Sequence, residues 1–343
     1  MSNIYKLLII TLGFWSCSNE IKITAPWKET IVVYGLLDPA APENYIRIQK
    51  AFLDPDGNAF QFVNMSDSIY PTNLEVKLYV RKNGFLIDTI FPQLIDGDLE
   101  GIKKDSGLFA NSPNYLYKIT DRIFESRLIT GGFEDYEYEL KVKNKSTGYE
   151  CSSKTLSNGF LESLSPVSPG AKDITINDRT NSFLSVFYRE GRNVKAYDMI
   201  IRFWYLETQK SDTNIKSTKS FDWVIFKNKP TKGLRGSEQQ LFAVSGNIFY
   251  EILNATILPN PNISRKALYC DVEYYGVGED LYTFVQVNQP SLGIIQKKPE
   301  YSNITNGLGI FSSRYITAMR KIPISNAMQG VLRGSTYTKD LNF

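Results

Sequence analysis

Histidine is absent from all 343 residues, which removes the commonest general base, metal ligand and pH switch from this chain. Ser-His-Asp and Cys-His catalysis are excluded, as are zinc sites that use histidine. Carboxylate, lysine and tyrosine chemistry remains. Long apolar runs are also missing. A membrane-spanning helix needs about 20 consecutive apolar residues and no stretch comes near that, so the chain reads as exported rather than embedded. Neither sign of charge dominates, with 39 Lys and Arg against 36 Asp and Glu, interspersed rather than blocked, and no nucleic-acid partner is expected. No internal repeat at a fixed period is evident. Cysteine is scarce, at three residues. Cys151 and Cys270 lie far apart in sequence, and a bridge between them needs Cα atoms within about 7 Å, so the expectation is two buried free thiols.

The third cysteine, Cys17, ends the only N-terminal apolar segment. Lys6 supplies a positive n-region, Leu7 to Trp15 a short h-region, and Ser16 the small residue before a cleavage site. Phe14-Trp15-Ser16-Cys17 resembles a bacterial lipobox, whose cysteine is diacylated and becomes the first residue of the mature protein. That resemblance makes Cys17 the lipidation site and residues 1–16 a signal peptide. Each buried methylene contributes roughly 0.8 kcal/mol, so two or three acyl chains anchor firmly where one is marginal. Ser18 stands where an Asp retains many lipoproteins at the inner membrane, and the resemblance therefore favours the outer membrane.

Beyond a tether over residues 17–28, the first half is written in period two. Leu74, Val76, Leu78 and Val80 alternate with Glu75, Lys77, Tyr79 and Arg81, a strand with one wet face. Asn83-Gly84 then turns the chain into a strand over Phe85 to Phe91. Tyr136 to Lys143 repeats the pattern and turns at Thr147-Gly148 into Tyr149 to Leu156, while Thr30 to Leu37 and Tyr45 to Phe52 read as earlier strands. Ser165-Pro166-Val167-Ser168-Pro169-Gly170 carries two prolines and a glycine and is placed as a linker. The fold expected is mainly β, with two β-rich domains. Residues 29–164 form an immunoglobulin-like antiparallel sandwich, and residues 171–343 a β-sheet domain with one or two inserted helices. Strands are expected at Asp173 to Ile176, Phe183 to Arg189, Tyr197 to Leu206 and Phe221 to Phe226. One helix is capped by Ser245, with Phe249, Ile252, Leu253 and Thr256 on a face, and another opens at Glu279-Asp280, with Leu281, Phe284, Val285 and Asn288 at helical spacing.

Near the C-terminus, Tyr301-Ser302-Asn303-Ile304-Thr305-Asn306-Gly307-Leu308-Gly309-Ile310-Phe311 is a turn-rich loop delivering a strand. It resembles the YSNI-x-NGLG-x-F ending of a large group of Bacteroidota outer-membrane lipoproteins catalogued as a domain of unknown function. Val32-Val33-Tyr34-Gly35-Leu36-Leu37-Asp38 is similar to that group's VVYGLLD first strand. The resemblance runs from Thr30 to about Arg314 and implies location, with no activity or catalytic residues attached.

Two acidic turns, Asp54-Pro55-Asp56-Gly57-Asn58 and Asp96-Gly97-Asp98-Leu99-Glu100, place oxygens at alternate positions as a calcium site does. Neither completes the twelve-residue loop, these are the residues turns prefer, and no metal or cofactor is expected. Aromatics form 13% of the chain and include Phe203-Trp204-Tyr205 and Tyr274-Tyr275. Most are assigned to cores, with Trp223 and Tyr275 as the candidate ligand platform. No carboxylate spacing identifies a glycosidase pair, and Ser153-Lys154 sits in a strand where neighbours point to opposite faces. The leading expectation is a non-enzymatic, lipid-anchored outer-membrane protein serving as a binding or accessory module of an envelope complex or nutrient uptake system. Its partners are the membrane, through Cys17, and an outer-membrane protein. A surface glycan-binding protein is the alternative, followed by a carboxylate-dependent hydrolase.

Overall fold

The computed structural model describes residues 29–51, 65–105, 107, 110–179, 181–289 and 300–343. Cys17 and the turn at Asp54 to Asn58 lie outside the described residues.

The chain is mainly β. The first half forms β1 (Thr30–Leu37), β2 (Asn44–Ala51), β3 (Leu74–Lys82), β4 (Phe85–Ile90), β5 (Gln93–Asp96) and β6 (Tyr115–Ile119). A small hairpin of β7 (Arg127–Ile129) and β8 (Gly132–Glu134) precedes β9 (Tyr136–Asn144) and β10 (Glu150–Leu156). In β3 the residues at Val76, Leu78 and Val80 are buried, because a pleat sends every second side chain to one face. The order β10-β9-β3-β4 forms one sheet, and β1, β2, β6 and β5 form part of another. Their apolar faces meet in a shared core that includes Val33, Ile46, Leu78, Tyr138 and Leu140, which is a sandwich.

The second half contributes β11 (Glu162–Ser165), β12 (Phe183–Arg189), β13 (Ala196–Gln209), β14 (Lys216–Pro230), β15 (Gln239–Ser245), β16 (Ile263–Val277) and β17 (Leu308–Pro323). A one-turn helix, α1 (Ser66–Ile69), lies in the first half, and α2 (Asn247–Thr256), α3 (Glu279–Asn288) and α4 (Asn326–Gly334) in the second. The inner face of β14-β13-β16-β17 packs on the sheet β11-β12-β15, on Phe249, Tyr250 and Leu253 of α2, and on Met328 and Leu332 of α4.

Five expectations need correction. The two halves share a sheet, because the 16-residue β17 pairs in parallel with β1 through Leu308 to Ser313 and antiparallel with β16 through Arg314 to Pro323. The sandwich is therefore not purely antiparallel, and Ile304 and Phe311, from the expected second domain, lie in its core. The segment 165–170 is not a free linker either: Ser165 ends β11, and Val167 is buried in the second core, where its carbonyl accepts the Ser163 hydroxyl at 2.6 Å. Asp173 to Ile176 forms no strand and makes one isolated bridge, Ile174 to Ile324, just past the end of β17, where the Thr175 hydroxyl also donates to that of Ser325 at the N-cap of α4. Finally, α2 has Gly246 at its N-cap, since Ser245 is still the last residue of β15, and it buries Phe249, Tyr250 and Leu253 while Ile252 and Thr256 face solvent. The second half also carries three helices among the described residues, against the expected one or two.

The glycine-rich ending explains how β17 reaches the first sandwich. Gly309 has φ +104°, and a Cβ there would lie 2.0 Å from the Val33 carbonyl oxygen, so only glycine lets β17 close on β1. The Asn303 amide closes the loop beside it, donating to the Phe311 carbonyl at 2.7 Å and accepting the Phe311 N–H at 3.0 Å. Ser153 donates to the Asn303 carbonyl at 2.8 Å.

Candidate functional site

The outer face of the large sheet gathers polar and aromatic side chains. Strand alternation puts Ile201 and Phe203 of β13 in the second core and turns Arg202 and Trp204 outward. On β16 the same parity buries Cys270, Val272 and Tyr274 and presents Tyr269, Asp271, Glu273 and Tyr275. Arg202 donates to both carboxylate oxygens of Asp222, at 2.7 and 2.9 Å, a fork that fits a planar guanidinium. Glu273, although on this outer face, has no exposed surface. Arg320 and the Tyr275 hydroxyl both donate to it, as buried charge requires. Asp271 accepts the Trp204 indole N–H at 2.9 Å and the Lys321 backbone N–H at 2.7 Å. Lys321 has φ +55°, so this carboxylate also holds an irregularity of β17 in place.

These contacts decide what the carboxylates do. Asp222, Asp271 and Glu273 share their face with two arginines and are held in ion pairs and hydrogen bonds, an arrangement suited to fixing a surface.

Tyr275, expected to serve as a ligand platform, is on this face and half buried. Trp223 is not beside it. It is 2% exposed and packs its ring 5.6 Å from that of Phe249, in the core on the opposite side of the sheet. A ligand platform built on Trp223 and Tyr275 is therefore corrected, because the parity that sends Asp222 outward sends Trp223 inward. Among the described residues the indole that faces outward is that of the half-buried Trp204, which sequence reading left inside an aromatic run. Its signal was the alternation Ile201, Arg202, Phe203, in which the charged residue marks the outward parity.

A second cluster lines a cavity of about 240 Å³ between the two halves, with Glu125, Glu162, Arg189, Glu190 and Arg192 in its walls. Clefts between units are a common place for ligands. Glu162 pairs with Arg189 at 2.6 Å. Glu190 is buried, and desolvation pushes its carboxyl above the usual value, opposed by hydrogen bonds from the Gln240 side chain and the Lys232 N–H. Arg192 grips Asp135 through two guanidinium nitrogens and lies 4.0 Å over the Phe133 ring, tying the halves together.

The remaining sequence candidates are structural. In the second acidic turn, Asp96 accepts the N–H groups of Asp98 and Asn114, both at 3.1 Å. Among the described residues no group of three or more Cys, Asp or Glu side chains is arranged to hold a metal ion. Glu279 pairs with Lys195 at 3.2 Å, and Asp280 accepts the Tyr301 hydroxyl at 2.6 Å. Ser153 is buried, while Lys154 faces out toward Glu137. Cys151 and Cys270 are free and buried, and burial pushes each thiol up to about 12.

Sequence reading missed an apolar rim on the first sandwich. Phe85, Leu86 and Ile87 are 78%, 56% and 50% exposed, and Phe91, Leu94 and Leu99, farther along the same segment, are exposed as well. β4 and β5 are the edge strands of the two facing sheets, so the rim runs along one open side of the sandwich. Three consecutive apolar residues break the alternation, and that was the available signal. No protein-family model matches this chain, and no curated protein matches it.

Proposed function

We propose that this chain is a non-enzymatic binding module, held at the outer membrane by lipid on Cys17, that docks onto an envelope protein through the rim of its first sandwich. The observation that carries the reading is the row from Phe85 to Leu99. Exposed apolar side chains gathered along one side of a fold are costly unless a partner covers them. The partner meets side chains rather than open backbone. β4 shifts register between Val80 and Arg81 of its neighbour, so that Leu86 and Ile87 together face Arg81, and a bulge of this kind discourages the addition of another strand. The committed carboxylates of the outer face and of Glu162 support binding over hydrolysis. Among the described residues no helix is long and apolar enough to cross a membrane, and the proposed anchor is the acylated cysteine.

Affinity purification from detergent-solubilised envelopes tests the docking. The wild type should recover one outer-membrane protein in constant ratio, and Leu86→Asp with Phe91→Asp should lose it. Recovery of this chain alone would refute the docking. Labelled palmitate should enter the wild type and not Cys17→Ala; equal labelling of both ends the anchor reading.

A further inference from the structure

Opposite the second core, the distal half of the outer sheet face has a composition that protein docking through the rim does not use. Trp204 stands directly across from Tyr269 of β16 on one side and Ser220 of β14 on the other. The next outward row is Lys266, Leu206 and Thr218, and the row beyond it pairs Thr208 with Lys216. Three physical features set this surface apart. First, the Trp204 and Tyr269 rings lie 6.0 Å apart at 36°, and the indole is oriented by its N–H, which donates to Asp271 at 2.9 Å. A half-exposed aromatic pair oriented on a sheet presents apolar area at little entropic cost. Second, Lys216 and Lys266 are exposed and make no ion pair among the described residues, whereas the lysines on the outer face of β3 and β9 are paired with glutamates. Third, hydroxyls of Thr218 and Ser220, both exposed, line the path between rings and ammonium groups. From Trp204 to Thr208 the strand advances ~13 Å at about 3.3 Å per residue, a length that spans a few sugar rings.

We propose that this face binds an acidic glycan, with sugar rings stacked on Trp204 and Tyr269 and carboxylate or phosphate substituents on Lys266 and Lys216. Charge complementarity favours this occupant over a neutral polymer, since the arginines nearby are already matched by Asp222 and Glu273 and the two lysines are left in surplus. The apolar faces of pyranose rings pack on aromatic rings, and the flanking hydroxyls and ammonium groups supply hydrogen bonds that a flat apolar patch lacks. The inference is independent of rim docking and of the anchor.

Affinity electrophoresis of the folded chain tests it, in gels containing polygalacturonate, alginate or a lipopolysaccharide core oligosaccharide conjugate, with dextran as the neutral control. The wild type should be retarded in at least one acidic gel and not in dextran, and the retardation should weaken as salt rises. Trp204→Ala should weaken binding at least tenfold. The surface variant Lys216→Glu with Lys266→Glu, which leaves the rings and core intact, should weaken it at least fivefold. Unretarded migration in every acidic gel overturns the proposal, as does retardation undiminished in the lysine variant or equal retardation in dextran.

Discussion

At the residue scale, two tryptophans on neighbouring strands have opposite roles because of one position of parity. Trp223 fills the second core, so Trp223→Ala leaves a cavity and should cost about 3–5 kcal/mol in denaturant unfolding. Trp204→Ala should cost less than half of that, since its ring is only partly covered. An equal loss at the two sites would contradict the assignment of faces. Glu190 gives a pH signature. Its folded-state carboxyl holds a proton more tightly than the unfolded one, whose ordinary value is 4.5, because burial disfavours the charge. Ionisation as the pH rises through the folded-state value therefore favours unfolding, and the contribution from the neutral acid is fully present only below the unfolded value. Thermal melts of Glu190→Gln should gain on the wild type as the pH rises above the ordinary value of 4.5, and a difference flat with pH would remove Glu190 from this role. For the thiols, burial predicts that Cys151 and Cys270 resist iodoacetamide at about pH 8 in the folded chain and react only after denaturation.

At the element scale, the alternating strands were legible and the interruptions were informative. β1 and β12 run over the residues their sequences mark, because a core on one side and water on the other leave a period of two as the only arrangement that buries the apolar set. β4 departs from that rule at Phe85-Leu86-Ile87, where neither water nor the core of this chain explains the apolar run. The Leu86→Asp substitution belongs to this scale. It should change stability by no more than about 0.5 kcal/mol, as exposed substitutions usually do, while abolishing partner recovery. A large loss of stability would instead mean that the rim is part of the fold. β17 is the other telling element. Gly309→Ala forces a side chain against the Val33 carbonyl in a backbone conformation closed to it, and should destabilise by roughly 3 kcal/mol or more.

At the scale of the molecule, the shared sheet makes the two cores interdependent. Residues 29–164 alone lack Leu308 to Ser313 as the neighbour of β1, and lack Ile304 and Phe311 from their core. Expressed by themselves they should give poor amide dispersion and no cooperative melt. The chain from residue 29 to 343 should unfold in one transition when followed by tryptophan fluorescence and by far-ultraviolet dichroism. A well-folded 29–164 fragment would show that the β1–β17 pairing is an accessory contact. The same interdependence accounts for Tyr301 to Phe311, whose asparagine and glycines serve the return of the chain into the first sandwich.

The sequence by itself determined the β-rich class, most strand positions, the absence of histidine chemistry and the lipobox-like segment at Cys17, because these follow from local periodicity, composition and spacing. Only the tertiary structure decided that β17 joins both halves, that Trp223 is core while Trp204 looks outward, and that Phe85 to Ile87, Phe91, Leu94 and Leu99 stay exposed on or beside the two edge strands. Local periodicity tells which side chains share a face. Which face is covered, and by which distant strand, depends on pairings hundreds of residues apart that no local pattern encodes.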